Sequence, residues 1–360
     1  MRITFVISYA DFSGGIRVVA TYAQKLQELG HDVAIVSRPK RAPTLKEKFL
    51  HRFLHRQIPS AARPNAKSHL DALTVRKIVI DRHRAIVPDD LPDADVLVPT
   101  WWETLQWVWP APPSKGAKVH FMQDYEIFGG DKAAVDATCR LPVQRIVIAQ
   151  WVKNLLAREF NDTTPVLIPN AVDTARFHSP PRAKPATPTV GTLYTAFRNK
   201  GTDVALEAYR LARQQMPDLK LVMFGSDIER DYLPIPREAE FLQNLPDEKL
   251  PGVYARCDAW LFGTRIEGFG LPILEAMACR TPVIATPAGA APELLAGGGG
   301  ALVPMEDCAA MAREIQRIVT LPDPQWQQMS AAAYHTATRY TWDDAAARFE
   351  AVLKRAAGIA

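Results

Sequence analysis

No apolar run in this 360-residue chain reaches the ~18 to 20 residues that a membrane-spanning helix needs, so an integral helical membrane protein is not expected. The first residues, MRITFVISYADFSGG, show neither the apolar core nor the small-residue cleavage site of a secretory leader, and cytoplasmic residence is the expectation. Cysteine is scarce and scattered. Cys139, Cys257, Cys279 and Cys308 form no C-x-x-C and no metal-ligand spacing, which favours buried free thiols over a disulfide framework or a zinc site. The dinucleotide fingerprint G-x-G-x-x-G is missing after the first strand. Asp93 and Asp95 make a D-x-D, but the pair opens a strand and reads as turn chemistry. Internal repeats and low-complexity tracts are absent as well.

What the chain does have is enough apolar content, 48%, for two cores, and a length beyond a typical single domain. Ile3 to Ile7 reads as a short strand. A loop at Ser13, Gly14 and Gly15, an amphipathic helix from Ile16 to Leu29 stopped by Gly30, and a strand from Asp32 to Val36 complete a βαβ unit, the start of a parallel sheet. Gly15 then faces the carboxyl edge of that sheet, where open α/β folds take ligands. Further strands are expected at 95–98, 118–122 and 146–149, and a second sheet from 189–193, 219–224 and 259–262. The proline-rich stretch 178–190 has no apolar periodicity and reads as the linker between domains.

Charge is polarised. Between Arg38 and Arg84 stand thirteen Lys or Arg against three acids, although the whole chain carries only +4, so the remainder is net acidic. Within that stretch, residues 44–58 place Leu45, Phe49, Leu50, Phe53, Leu54 and Ile58 at helical spacing beside Lys46, Lys48, Arg52 and Arg56. Two readings stay open there: an interfacial helix making a peripheral membrane contact, or a helix packed on its own domain with a solvated basic face. No recognition motif accompanies the charge, so a nucleic-acid partner is not expected.

The densest chemistry lies between Thr264 and Leu295. An apolar strand, Ala259 to Phe262, runs into a loop with Gly268 and Gly270, and Pro272 suits the first turn of the helix that follows. A helix N-terminus presented by such a loop is a ready anion site. Glu267 and Glu275 flank it, about two turns apart, so they serve different ends of an elongated ligand or are merely a loop acid and a helix acid. The apolar setting of Glu275, among Leu271, Ile273, Leu274, Ala276 and Met277, argues for a partner, because an unpaired buried carboxylate is costly.

EGFGLPILEAMA at 267–278, followed by PVIAT at 282–286 and Pro292-Glu293, resembles the signature of family 4 retaining glycosyltransferases, which have the GT-B fold. That resemblance implies two Rossmann-like α/β domains with a cleft between them: an acceptor domain at 1–168, a nucleotide-sugar donor domain at 169–340, and a C-terminal helix at 341–360 crossing back to the first domain. By the same resemblance Glu267 lies beside the anomeric carbon of the donor sugar. The backbone of Gly268, Phe269 and Gly270, with Leu271, meets sugar and phosphates, and Glu275 holds the ribose. Lys200 matches the family's diphosphate lysine. Thr192 stands where an arginine is usual, leaving Arg198 as the candidate for the missing charge. Gly15 is assigned to the donor. Gln123 and Asp124 occupy the family's His-Asp position and, with Trp101 and Trp102, are assigned to the acceptor; His120 points to the opposite strand face. The run from Gln123 to Glu126 is similar to a rhamnosyltransferase-like subset. Two departures are Arg280, where glycine is usual, and Ala290 after Gly289.

The expectation is a retaining, metal-independent hexosyltransferase without a bound cofactor. It would move sugar from a nucleotide-diphosphate sugar to a glycan or lipid-linked acceptor at the inner face of the plasma membrane, in cell-surface polysaccharide synthesis. A sugar-nucleotide epimerase of the same fold and a noncatalytic membrane adaptor are the alternatives.

Overall fold

The computed structural model describes residues 1–41, 43–45, 67–127 and 130–359. Most of the basic amphipathic stretch 44–58 therefore lies outside the described residues. The chain divides into two compact units, Met1–Ile168 with Trp342–Ala360, and Pro169–Thr341.

The first unit is built on a sheet of β1 (Arg2–Ile7), β2 (Asp32–Ser37), β3 (Arg76–Val79), β4 (Val96–Pro99), β5 (Ala117–Met122), β6 (Gln144–Val147) and β7 (Val166–Leu167), in the order β3-β2-β1-β4-β5-β6-β7. The second is built on β8 (Thr189–Leu193), β9 (Lys220–Gly225), β10 (Glu240–Gln243), β11 (Ala259–Phe262), β12 (Val283–Ala285) and β13 (Gly300–Leu302), in the order β10-β9-β8-β11-β12-β13. Every neighbouring pair is parallel. Sheets of this kind are covered by helices on both faces, so their central strands read as continuous apolar runs: β1 is buried from Ile3 onward and β11 throughout. In each sheet the strand order reverses once, between β1 and β4 and between β8 and β11. Loops leaving the carboxyl ends of those strands diverge and open a crevice.

The first helix spans Gly14–Glu28, two residues earlier than its periodicity predicts. Ser13 caps it, its hydroxyl accepting from the Ile16 N–H at 3.4 Å, so the glycine pair becomes the first helical turn instead of a free loop. The last helix, Trp342–Ala356, belongs to the first unit. Phe349 is fully buried among Tyr22, Phe121 and Phe5, with ring centroids 4.4, 5.1 and 6.2 Å away. Lys25 to Asp343 at 2.9 Å and His31 to Glu350 at 2.8 Å fasten the rim.

In the second unit Trp260 is buried against Tyr254 and Phe224, and a Cβ on Gly191 would fall 2.5 Å from its ring. The proline-rich stretch is not the linker that composition suggests. It lies inside the second unit, where Arg182 donates to the Cys257 carbonyl at 2.6 Å and stacks over Trp326, and Lys184 donates to the carbonyls of Val319 and Leu321. Half-buried cation-to-carbonyl bonds hold it where periodicity is silent. Among the described residues no helix is long and apolar enough to cross a membrane. Cys139, Cys257 and Cys279 are buried free thiols, and Cys308 is half-buried.

Candidate functional site

In the second unit the loops after β8 and β11 meet at the reversal point of the sheet. After β8 the chain makes a tight turn, Arg198–Lys200, then Gly201 at φ +63° starts the helix Thr202–Gln215. After β11 it passes through Gly263, Thr264 and Arg265 to Glu267 and enters the helix Leu271–Ala278 through Gly270 at φ +100°. The loops are joined by backbone. Arg265 N–H donates to the Asn199 carbonyl at 2.8 Å, and the Thr264 hydroxyl to the Lys200 carbonyl at 3.2 Å. The result is a direct ion pair: Lys200 Nζ lies 2.8 Å from Glu267 Oε2, with the two side chains 34% and 16% exposed. An ammonium and a carboxylate thus share one partly solvated corner beside a glycine-started helix.

The rest of the segment supports that corner. Phe269 is buried. Ala290 N–H donates to the Phe269 carbonyl at 2.8 Å. Gly289, at φ +61°, packs so closely that a Cβ would fall 2.6 Å from that carbonyl oxygen and 3.0 Å from Glu267 Cγ. Leu271 is half-buried at the helix start. Glu275 is 4% exposed, and the Tyr254 hydroxyl donates to its Oε2 at 2.8 Å. Tyr254 is a residue the sequence did not flag; its only signal is a tyrosine in the short helix Leu250–Ala255 before β11.

Arg198 is not drawn into the pair. Its side chain is exposed, and it is its carbonyl that accepts from Arg265, at 2.7 Å. Thr192 is buried within β8 with its hydroxyl on the Leu261 carbonyl, so that position faces the sheet. Arg265 carries the weight the sequence left unassigned, forking onto Asp203 with two bonds of 2.8 Å and pairing with Glu306. Its guanidinium is the first cause holding the carboxyls of both Asp203 and Glu306 below the usual range.

In the first unit the corresponding reversal point gathers another set. Gln123, after β5, donates from Nε2 to the Gly15 carbonyl at 3.3 Å. The ring of Trp102, after β4, packs so tightly on Gly130 that a Cβ there would fall 2.4 Å from it. Trp102 N–H donates to Glu126 Oε2 at 2.7 Å. Glu126 is buried, and desolvation holds its carboxyl well above the ordinary range despite that bond. Asp124 accepts from Tyr125 N–H at 2.7 Å, and Trp101 stands before the helix Trp102–Val108. His120 is buried on the strand itself and remains neutral, its pKa lowered to about 3 first by desolvation and then by Arg145. The acids of the D-x-D are taken by structure at the opposite sheet edge: Asp95 by Arg2 at 2.7 and 2.9 Å, Asp93 by Lys115 at 3.0 Å. Among the described residues no three His, Cys, Asp or Glu side chains are grouped to hold a metal ion.

Two parallel-sheet Rossmann-like units with one order reversal each define the GT-B fold. The sucrose-phosphate synthase of Thermosynechococcus elongatus superposes with a TM-score of 0.75 over 99% of this chain and 98% of that one, at 19% identity. Residues 174–336, nearly all of the second unit, match the family model described as "Glycosyl transferases group 1". Among similar curated proteins are an O-antigen chain mannosyltransferase B of Escherichia coli and a GDP-mannose-dependent alpha-(1-6)-phosphatidylinositol monomannoside mannosyltransferase of Mycolicibacterium smegmatis. The first is 33% identical over 29% of this chain and 27% of its own length, the second 28% over 57% and 60%. The chain thus spans less than two thirds of either relative.

Proposed function

We propose that this chain is a retaining glycosyltransferase that moves a sugar from a nucleotide-diphosphate sugar to a glycan or lipid-linked acceptor in cell-surface polysaccharide synthesis. The observation that carries this reading is the Lys200–Glu267 pair at the β8/β11 reversal, inside the segment matched by the group 1 model. Lys200, with the helix that starts at Gly270, takes the charge that builds on the departing diphosphate, the part a metal ion plays in metal-dependent transferases. Glu267 faces the anomeric carbon and stabilises its positive charge. The acceptor oxygen bonds to that carbon on the face the diphosphate leaves, the electron pair of the breaking C–O bond stays on phosphate, and the acceptor hydroxyl's proton passes to the departing phosphate oxygen. Glu275 accepts from the ribose hydroxyls, and the backbone of Gly268, Phe269 and Gly270 meets the sugar and phosphates. Arg198, exposed one turn away, meets the diphosphate when a ligand is bound.

Gly15, Gln123, Asp124, Trp101 and Trp102 line the acceptor side, with Gly15 also reaching the donor. The basic amphipathic stretch 44–58 supplies a peripheral contact with the anionic inner face of the plasma membrane. For the donor, the names of the relatives point to a mannosyl nucleotide and the run Gln123 to Glu126 to a rhamnosyl one. A thermal-shift panel of UDP, GDP and dTDP in the presence of EDTA, followed by UDP-glucose, GDP-mannose and dTDP-rhamnose, tests the proposal. One diphosphate is expected to raise the melting temperature, and Lys200→Ala to reduce the rise; no protection by any of them would sink the proposal. With the matching donor, the anomeric configuration of the product, read by NMR, is expected to be that of the donor.

A further inference from the structure

Arg265 stands two positions before Glu267 with its side chain only 14% exposed, and all three of its guanidinium nitrogens are engaged. Nη1 and Nη2 fork onto the two oxygens of Asp203, each at 2.8 Å. Nη1 also donates to the Arg198 carbonyl at 2.7 Å, and Nε and Nη2 close on Glu306. The Arg265 backbone N–H adds a bond to the Asn199 carbonyl at 2.8 Å. The two carbonyls precede Lys200 directly, and Asp203 follows it at the start of the next helix. One residue therefore grips the chain on both sides of the ammonium. Glu306, the third anchor, sits after β13 at φ +62°, a backbone region that a residue with a side chain rarely enters. A lysine at 265 could not reproduce this, because an ammonium has no planar fork.

We infer that Arg265 is a positioning residue: it fixes the 198–203 turn against the Glu267 loop and so sets where the Lys200 ammonium stands relative to a bound diphosphate. This rests on the proposed donor site, and the test separates the two. Calorimetric titrations compare a nucleoside diphosphate with its monophosphate, using whichever of UDP/UMP, GDP/GMP and dTDP/dTMP the wild-type protein binds. Arg265→Lys and Arg265→Ala are expected to weaken diphosphate binding by about tenfold and to leave monophosphate binding within about twofold, since only a charge-assisted contact to the outer phosphate is misplaced. Lys200→Ala is expected to show the same selective loss, and the double variant to lose no more than Lys200→Ala alone. A selective loss in Lys200→Ala without one in the Arg265 variants, or additive losses, would overturn the positioning role and leave the donor site standing. An equal loss for both nucleotides would mark general damage and overturn it too. If Lys200→Ala leaves the diphosphate preference intact, or no nucleotide binds, the donor site fails and the inference with it. Should the Arg265 variants not fold, Glu306→Gln removes one anchor from an exposed position; a smaller selective loss supports the role and none refutes it.

Discussion

A Cβ added to Gly201 would fall 1.8 Å from the carbonyl oxygen of Gly263. The loop bearing Lys200 and the loop leading to Glu267 are thus in backbone contact, and Gly201 also holds φ +63°. Gly201→Ala must both separate the loops and enter a strained conformation, so a loss of more than about 2 kcal/mol is expected in urea unfolding. Gly30→Ala, at φ +86° with nothing within 4 Å, faces the conformational penalty alone and should cost about 1 kcal/mol.

Arg280 occupies a left-handed position, φ +60°, just past the helix Leu271–Ala278, which accounts for a glycine being usual there. Its side chain offsets the strain by stacking over Tyr334 at 4.0 Å and donating to the Ser179 carbonyl at 3.0 Å. Arg280→Ala keeps the strain and loses the contacts, whereas Arg280→Gly loses the contacts and relieves the strain. The glycine variant is expected to be the more stable of the two by about 1 kcal/mol in parallel urea titrations.

Tyr254 and Glu275 offer a test of the nucleoside end of the site. Tyr254→Phe removes one donor from the carboxylate without removing the carboxylate. If Glu275 holds the ribose, Glu275→Ala should weaken nucleoside diphosphate binding by at least about tenfold, and Tyr254→Phe by a smaller factor, in the same calorimetric assay. Equal affinity in Glu275→Ala and wild type would remove Glu275 from the donor site.

Two buried groups, His120 in the first unit and Asp258 in the second, are expected to answer pH in opposite senses. His120 has a folded pKa near 3, below its unfolded value of about 6.5, so its neutral burial supports the fold above pH 6.5, and that support is lost as pH falls from there toward 3. Neither ring nitrogen meets a hydrogen-bond partner among the described residues, so His120→Leu should flatten this acid limb. Urea midpoints between pH 4.5 and 7 check it.

Asp258 behaves in reverse. Desolvation raises its carboxyl to about 6, although the Thr189 N–H donates to it at 2.7 Å. The folded state then binds a proton that the unfolded state has released, so this contribution falls as pH rises from about 3.8 to 6. Asp258→Asn keeps an acceptor for Thr189 and is expected to be more stable than wild type above pH 6, by on the order of 2 kcal/mol. An unchanged midpoint at pH 7.5 would show that Asp258 is not the cause.

Local pattern made β11, the Gly270 turn and the helix carrying Glu275 legible, because strand, turn and helix follow one another without interruption. It also made the buried central strands of both sheets legible, since they are written as apolar runs, but not the exposed edge strands β3 and β10. What composition could not convey is anything held by distant partners. Asp203, Arg265 and Glu306 each look like ordinary surface charges, and only the fold brings them together. Arg182 and Lys184 stand in a stretch with every mark of a linker, yet their cationic ends are spent on carbonyls of the second unit. The helix Gly14–Glu28 absorbed a glycine pair read as a loop because a serine cap outweighed glycine's low helix propensity.

The helix Trp342–Ala356 closes the aromatic core that Phe5, Tyr22 and Phe121 begin, yet the ribosome makes the whole of the second unit in between. The nascent first unit must wait, its aromatic face uncovered, while the second unit emerges with every strand of its own sheet in one continuous stretch and is free to fold first. A released chain that ends before Trp342 would therefore carry a finished second unit behind an open, aggregation-prone first one.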